Sequence, residues 1–211
     1  PTNPSGNPPK APTGLSVTSE AYVTDTIDPS ALMTATWDAV TQSVDGKPLD
    51  GELWYEVGSV MTKYIPRKRG YTVWPRTKDL TSAYGDFWPG TEYQVAVRVH
   101  DDTHHTKSAW STPVTITTAT DDNPPQKPSV PILTPRAGTV SAEWDGKDYE
   151  GSTTWPMDMV GVNVYIGDEQ VYKFNGGITS APLGAYLPGS IINVTFKAVD
   201  VWGNESEPSD V

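Results

Sequence analysis

The chain of 211 residues carries 26 Asp and Glu against 15 Lys and Arg, a formal net charge of −11, and it has no cysteine. The missing thiols exclude disulfides, zinc–thiolate centres and a cysteine nucleophile. The acidic balance repels a phosphate backbone and argues against nucleic acid as the main partner.

The length suits either one domain or two of roughly 100 residues each, and a body of about that size buries a core without covalent staples. The charge is uneven, with 10 basic and 13 acidic residues up to position 120 and 5 and 13 beyond it; solubility accounts for the acidic surplus. No apolar run reaches the length of a membrane-crossing helix, so membrane insertion is not expected. The opening stretch PTNPSGNPPKAP reads as a tether of the kind that joins modules, and the absence of an initiator Met fits a piece of a longer protein.

Twenty Pro and eighteen Gly punctuate segments rich in Val, Thr, Tyr, Trp and Ile, the residues of a pleated surface. Leu15 and Val17 begin a strand. Met33, Ala35 and Trp37 alternate with Thr34 and Thr36, and Leu53, Tyr55 and Val57 alternate with Trp54 and Glu56. Tyr71–Trp74 reads as a short strand, Tyr93, Val95, Val97 and Val99 form one face of a long one, and PVTITTA closes the set. The order then starts again. Val140, Ala142 and Trp144 stand in the places of Met33, Ala35 and Trp37; Val162, Val164 and Ile166 face inward; QVYKF is a middle strand; Ile192, Val194, Phe196 and Ala198 make the long one. FWPGTEYQVAVRVHD (Phe87–Asp101) is nearly replayed as AYLPGSIINVTFKAVD (Ala185–Asp200). Two copies of one small β unit explain the repeat, and the prolines of TDDNPPQKPSVP separate them. The expected organisation is a flexible lead over 1–9, a first domain over 10–119, a linker over 120–128 and a second domain over 129–211.

A strand ending in Trp-Asp, then WPGTEYQVAVRV, a loop and WSTPVTITT, resembles the fibronectin type III domain over residues 10–119. Residues 126–211 resemble a second copy through VSAEWDG and YLPGSIINVTFKAVDVWGNESEPS. The resemblance implies an all-β protein of two immunoglobulin-like sandwiches in tandem, each with sheets of three and four strands. It places the buried core Trp at Trp37 and Trp144 and a corner Tyr at Tyr93, where the second copy has Ile192 and so a corner held less tightly. It also puts the start of the last strand at Val211, which implies a truncated copy or a partly formed edge. The cadence of PPQKPSVPILTPRAGTVSAEWDG and AVDVWGNESEPSD is similar to type III modules of minor tail and tail-tip proteins of phages of actinobacteria, and D-x-x-G-N-x-S turns also occur in modules of secreted bacterial glycanases.

Chemistry is sparse. HDDTHH (His100–His105) offers imidazoles and carboxylates, yet its spacing matches no zinc signature and it falls in a loop, so His104 and His105 are candidates for surface contact and no metal or other cofactor is expected. Asp38 and Asp145 recur after the core Trp and read as turn caps rather than a catalytic pair. Nucleophile-elbow, zincin, P-loop and dinucleotide fingerprints are absent, and no enzyme is expected. Arg67, Lys68 and Arg69 between Tyr64 and Tyr71 are candidates for contact with an acidic partner. Trp54 and Trp155, expected to face outward, are candidates for stacking on sugar rings or on a neighbouring protein. The resemblance implies a spacer or adhesion segment of a virion tail, partnered by other domains of the same protein and by host cell-envelope polysaccharide or protein. The alternative it leaves open is a secreted or cell-surface accessory module of a polysaccharide-degrading enzyme or adhesin.

Overall fold

The computed structural model describes residues 6–67, 70–175 and 177–211. The described residues divide into two compact units, 6–24 with 29–120 and 25–28 with 121–211. In the first, β1 (Ser16–Val23), β2 (Pro29–Thr36), β3 (Leu53–Met61), a 3-10 turn (Thr62–Arg67), β4 (Thr72–Val73), β5 (Thr81–Phe87), β6 (Glu92–Asp101), β7 (Thr106–Lys107) and β8 (Val114–Thr117) follow in order. One sheet runs β1-β2-β5; the other runs β4-β3-β6, with β7 and β8 both paired to β6. All pairs are antiparallel. Because successive strand residues face opposite sides, the alternating apolar positions meet between the sheets: Met33, Ala35, Val57, Val95, Val97 and Val99 are fully buried. Trp37 is buried against Tyr55, with ring centroids 5.4 Å apart. The Tyr55 hydroxyl in turn accepts from the Val40 N–H at 3.0 Å.

In the second unit β9 (Ile132–Arg136), β10 (Thr139–Glu143), β11 (Met159–Ile166), β12 (Glu169–Asn175), β13 (Ser180–Ala185) and β14 (Val194–Asp200) form two three-stranded sheets, β13-β10-β9 and β12-β11-β14. Their core is Ala142, Val162, Val164, Phe174, Ala181, Val194 and Phe196, with the Phe174 and Phe196 rings edge to face at 5.5 Å. The fold is all-β, two fibronectin type III-like sandwiches in tandem.

Several features depart from the sequence reading. Strands β5, β9 and β13 are not evident in the sequence, because each hides its alternation: β9 contains Pro135, β13 contains Pro182, and β5 and β13 are both bulged. Trp144 is only half-buried. It lies one residue beyond β10 at the end of the core, where Phe174 and Phe196 already fill the middle, and its indole donates to the Lys147 carbonyl at 2.8 Å. Tyr93 does close a corner, accepting from the Trp88 N–H at 3.4 Å, while Ile192 in its place packs against the second core.

Candidate interaction surfaces

The Asp that ends each copy of the repeat is a buried loop anchor. Asp101 accepts from the His104 backbone at 3.0 Å and meets its Nδ1 at 2.8 Å. Asp200 accepts from the Trp202 and Asn204 N–H groups at 2.9 and 2.8 Å and from the Asn204 amide at 3.0 Å. His104 is therefore engaged in holding its own loop, while His105, at φ 54°, is exposed. Among the described residues no group of three or more His, Asp or Glu side chains could hold a metal ion. Asp38 and Asp145 play a matching part: each accepts from a hydroxyl of the entering segment, Thr13 at 3.1 Å and Ser129 at 2.6 Å, and Asp145 also caps the Lys147 N–H at 3.0 Å.

The outer face of the β3–β6 sheet is covered by its own side chains. The Glu56 carboxylate, largely buried, takes the Arg98 guanidinium at 2.5 Å and His100 Nε2 at 3.1 Å. His100 Nδ1 lies 2.6 Å from an Arg76 Nη, and Arg76 is ion-paired to Asp102. Since guanidinium only donates, Nδ1 is the acceptor and the ring proton sits on Nε2. Burial pushes the Glu56 carboxyl up, but His100, Arg98 and the Arg98 charge outweigh it and hold the group below its ordinary 4.5. Arg98 also lies over the Trp110 ring at 4.4 Å, and Trp110 packs on Tyr71 at 4.8 Å. Trp54 is partly buried beneath the Lys78 ammonium, 4.7 Å from its centroid, and Lys78 pairs with Glu52. In the second unit Glu205 binds Asn163 at 2.5 Å, Tyr165 at 2.6 Å and Lys197 at 3.3 Å, on the corresponding face. Burial and that carboxylate push the Tyr165 hydroxyl up to about 12.

The residues singled out from the sequence are thus not brought together. Trp155 is folded back, edge to face with Trp144 at 5.5 Å and donating to the Gly146 carbonyl at 3.0 Å, so it is not a free stacking plate. Lys68, Arg69 and the side chain of Arg67 lie outside the described residues. The most exposed indole among the described residues is one that the sequence reading does not single out: Trp88, 69% exposed, in the Pro-Gly corner before β6. Leu187, 81% exposed, occupies the same place in the second copy. The signal is present in the repeated bulky-Pro-Gly, since a corner residue flanked by Pro has no strand neighbour to cover it.

No family model matches the chain, and no curated protein matches it. Among solved structures it is similar to the chicken CNTN1 FN1–FN3 domains, with 16% identity and a TM-score of 0.40 over 97% of this chain and 67% of that one. It is also similar to a structure described as that of a myokine, with 19% identity and a TM-score of 0.35 over 53% of this chain and 99% of the other. Neither likeness bears on function, and the fold assignment rests on the strand order and register above.

Proposed function

We propose that the chain is a non-catalytic spacer or adhesion segment of a phage tail-tip or tail-fibre protein. One observation carries the non-catalytic part: the polar side chains that chemistry would need are committed to one another or to their own loops. Glu56, Arg98, His100, Arg76 and Asp102 form one connected set, Glu205, Tyr165, Asn163 and Lys197 a second, and Asp101 and Asp200 anchor turns. Such sets stiffen a sheet face, and two self-contained cores in series suit a part that sets distance. The virion setting is supported by the cadence of the second copy alone. Its test is electron microscopy of actinobacterial phage particles decorated with antibody raised to this chain. Label at the tail tip is the expected result. Label confined to the bacterial surface or culture medium, with a glycanase domain in the same reading frame, would favour the accessory-module alternative.

A further inference from the structure

One end of the first unit carries an open groove of about 380 Å³ between the β3–β4 edge and the bulged strand β5. Tyr84 and Trp88 flank the bulge and line the groove, 40% and 69% exposed. Tyr84 is backed by the buried Trp74, stacked at 5.9 Å and 24°, so its position is set by the core. Between the two rings in sequence the bulge holds Asp86, which also lines the groove, at φ 64°, a left-handed conformation uncommon outside glycine but more open to Asp than to most residues. The Tyr22 hydroxyl holds it there, donating to Asp86 Oδ1 at 2.8 Å and accepting from the Asp86 N–H at 2.9 Å. Gly85 allows the approach, since a Cβ there would lie 2.5 Å from that hydroxyl. The remaining polar lining is hydroxyl-bearing, with Ser59, Tyr64 and Thr72 along the opposite wall.

A fixed carboxylate accepts and never donates, so an occupant must offer donors beside it. Two exposed rings flanking that acceptor require flat apolar patches on the same ligand. A sugar ring has both, C–H faces for stacking and hydroxyl pairs for a carboxylate. A polyproline segment has apolar faces but presents carbonyls, which Asp86 repels, and a cationic ligand would find only one acid among the described residues of the lining. We propose that this groove binds a neutral sugar unit of a surface glycan, with Trp88 and Tyr84 stacking on the ring and Asp86 accepting from its hydroxyls. The inference deepens the adhesion reading and rests on it.

The full chain is titrated with neutral hexasaccharides of glucose, mannose and galactose, following heat and the indole N–H signals by NMR. At least one sugar is expected to bind with a Kd of roughly 1 mM, as suits a small open site, equally at low and high salt, and to move the indole signal that Trp88→Phe identifies. Trp88→Ala and Asp86→Asn should each weaken it by about tenfold or more, the factor given by a lost contact of about 1.4 kcal/mol. Trp54→Ala should leave it unchanged. Failure of all three sugars to bind overturns the proposal, as does binding that survives Trp88→Ala, binding that fades with salt, or a proline-rich decapeptide taking the site instead. Chromatography of the same samples separates the two readings. Cleaved sugar would overturn the non-catalytic role itself, whereas intact unbound sugar would overturn only the groove.

Discussion

Single side chains explain why the two copies share more than an apolar rhythm. Ser108 and Ser111 in the first unit, and Ser206 and Ser209 in the second, are buried beside the long strand. Each donates its N–H to a strand carbonyl, and each hydroxyl accepts that same strand residue's N–H: Val99 and Val97 at 3.0 and 3.1 Å, Ala198 and Phe196 both at 2.9 Å. The hydroxyl stands in for a backbone carbonyl. Ser111→Ala should therefore orphan the buried Val97 N–H and cost about 1–3 kcal/mol, measurable by denaturant unfolding. The recurrence S-x-x-S is visible in the sequence but has no meaning until the register is known, since a Ser reads as loop until the strand beside it is identified. The core Trp37 and the corner Tyr93 are legible because their large side chains sit in an alternating run. Glu56 gives a pH signature. Its folded value lies below the ordinary 4.5, so its stabilising contribution is complete above that pH and is lost as the pH falls through the lowered folded value. Glu56→Gln should flatten the acid limb of the stability curve below about pH 4.5 relative to the parent, read from thermal unfolding across pH.

At the scale of strands, the most legible elements are those whose apolar residues recur at every second place in the sequence, as in β2, β3, β6, β11 and β14. The illegible ones are irregular. In β5 the register against β2 shifts between Ala31 and Met33, and in β13 the register against β10 shifts between Val140 and Ser141, with Gly184 at φ 109°. A bulge moves later side chains to the other face, which erases the alternation that sequence reading depends on. The candidate groove is invisible in the sequence because its two walls, β3–β4 with the 3-10 turn and the bulged β5 with its corner, come from separate stretches of the chain. The corner is testable at this scale too. Tyr93→Phe keeps the ring and removes the acceptor for the Trp88 N–H, and should lower the stability of the first unit by about 0.5–1.5 kcal/mol in urea.

For the whole molecule, the two core clusters share no residue. Two unfolding transitions are the expected outcome by calorimetry. Trp37→Ala, which empties a buried indole site, should cost about 3–5 kcal/mol and displace only one of them; a single transition that moves as one would show coupling instead. The serine-anchored segments bear on how such modules behave when many are crowded together. From Ser108 to Ser111, and again from Ser206 to Ser209, three residue steps run beside only two of the strand, Val99 to Val97 and Ala198 to Phe196. The outward N–H and C=O groups of such a segment fall out of step with any regular strand docking on them, and Pro208 removes one donor outright. Exposed sheet edges are templates for association between chains, and natural edges are blunted by irregularity, proline and shortness. The serine-anchored irregularity that fastens this segment to its strand thus also leaves it a poor template for aggregation.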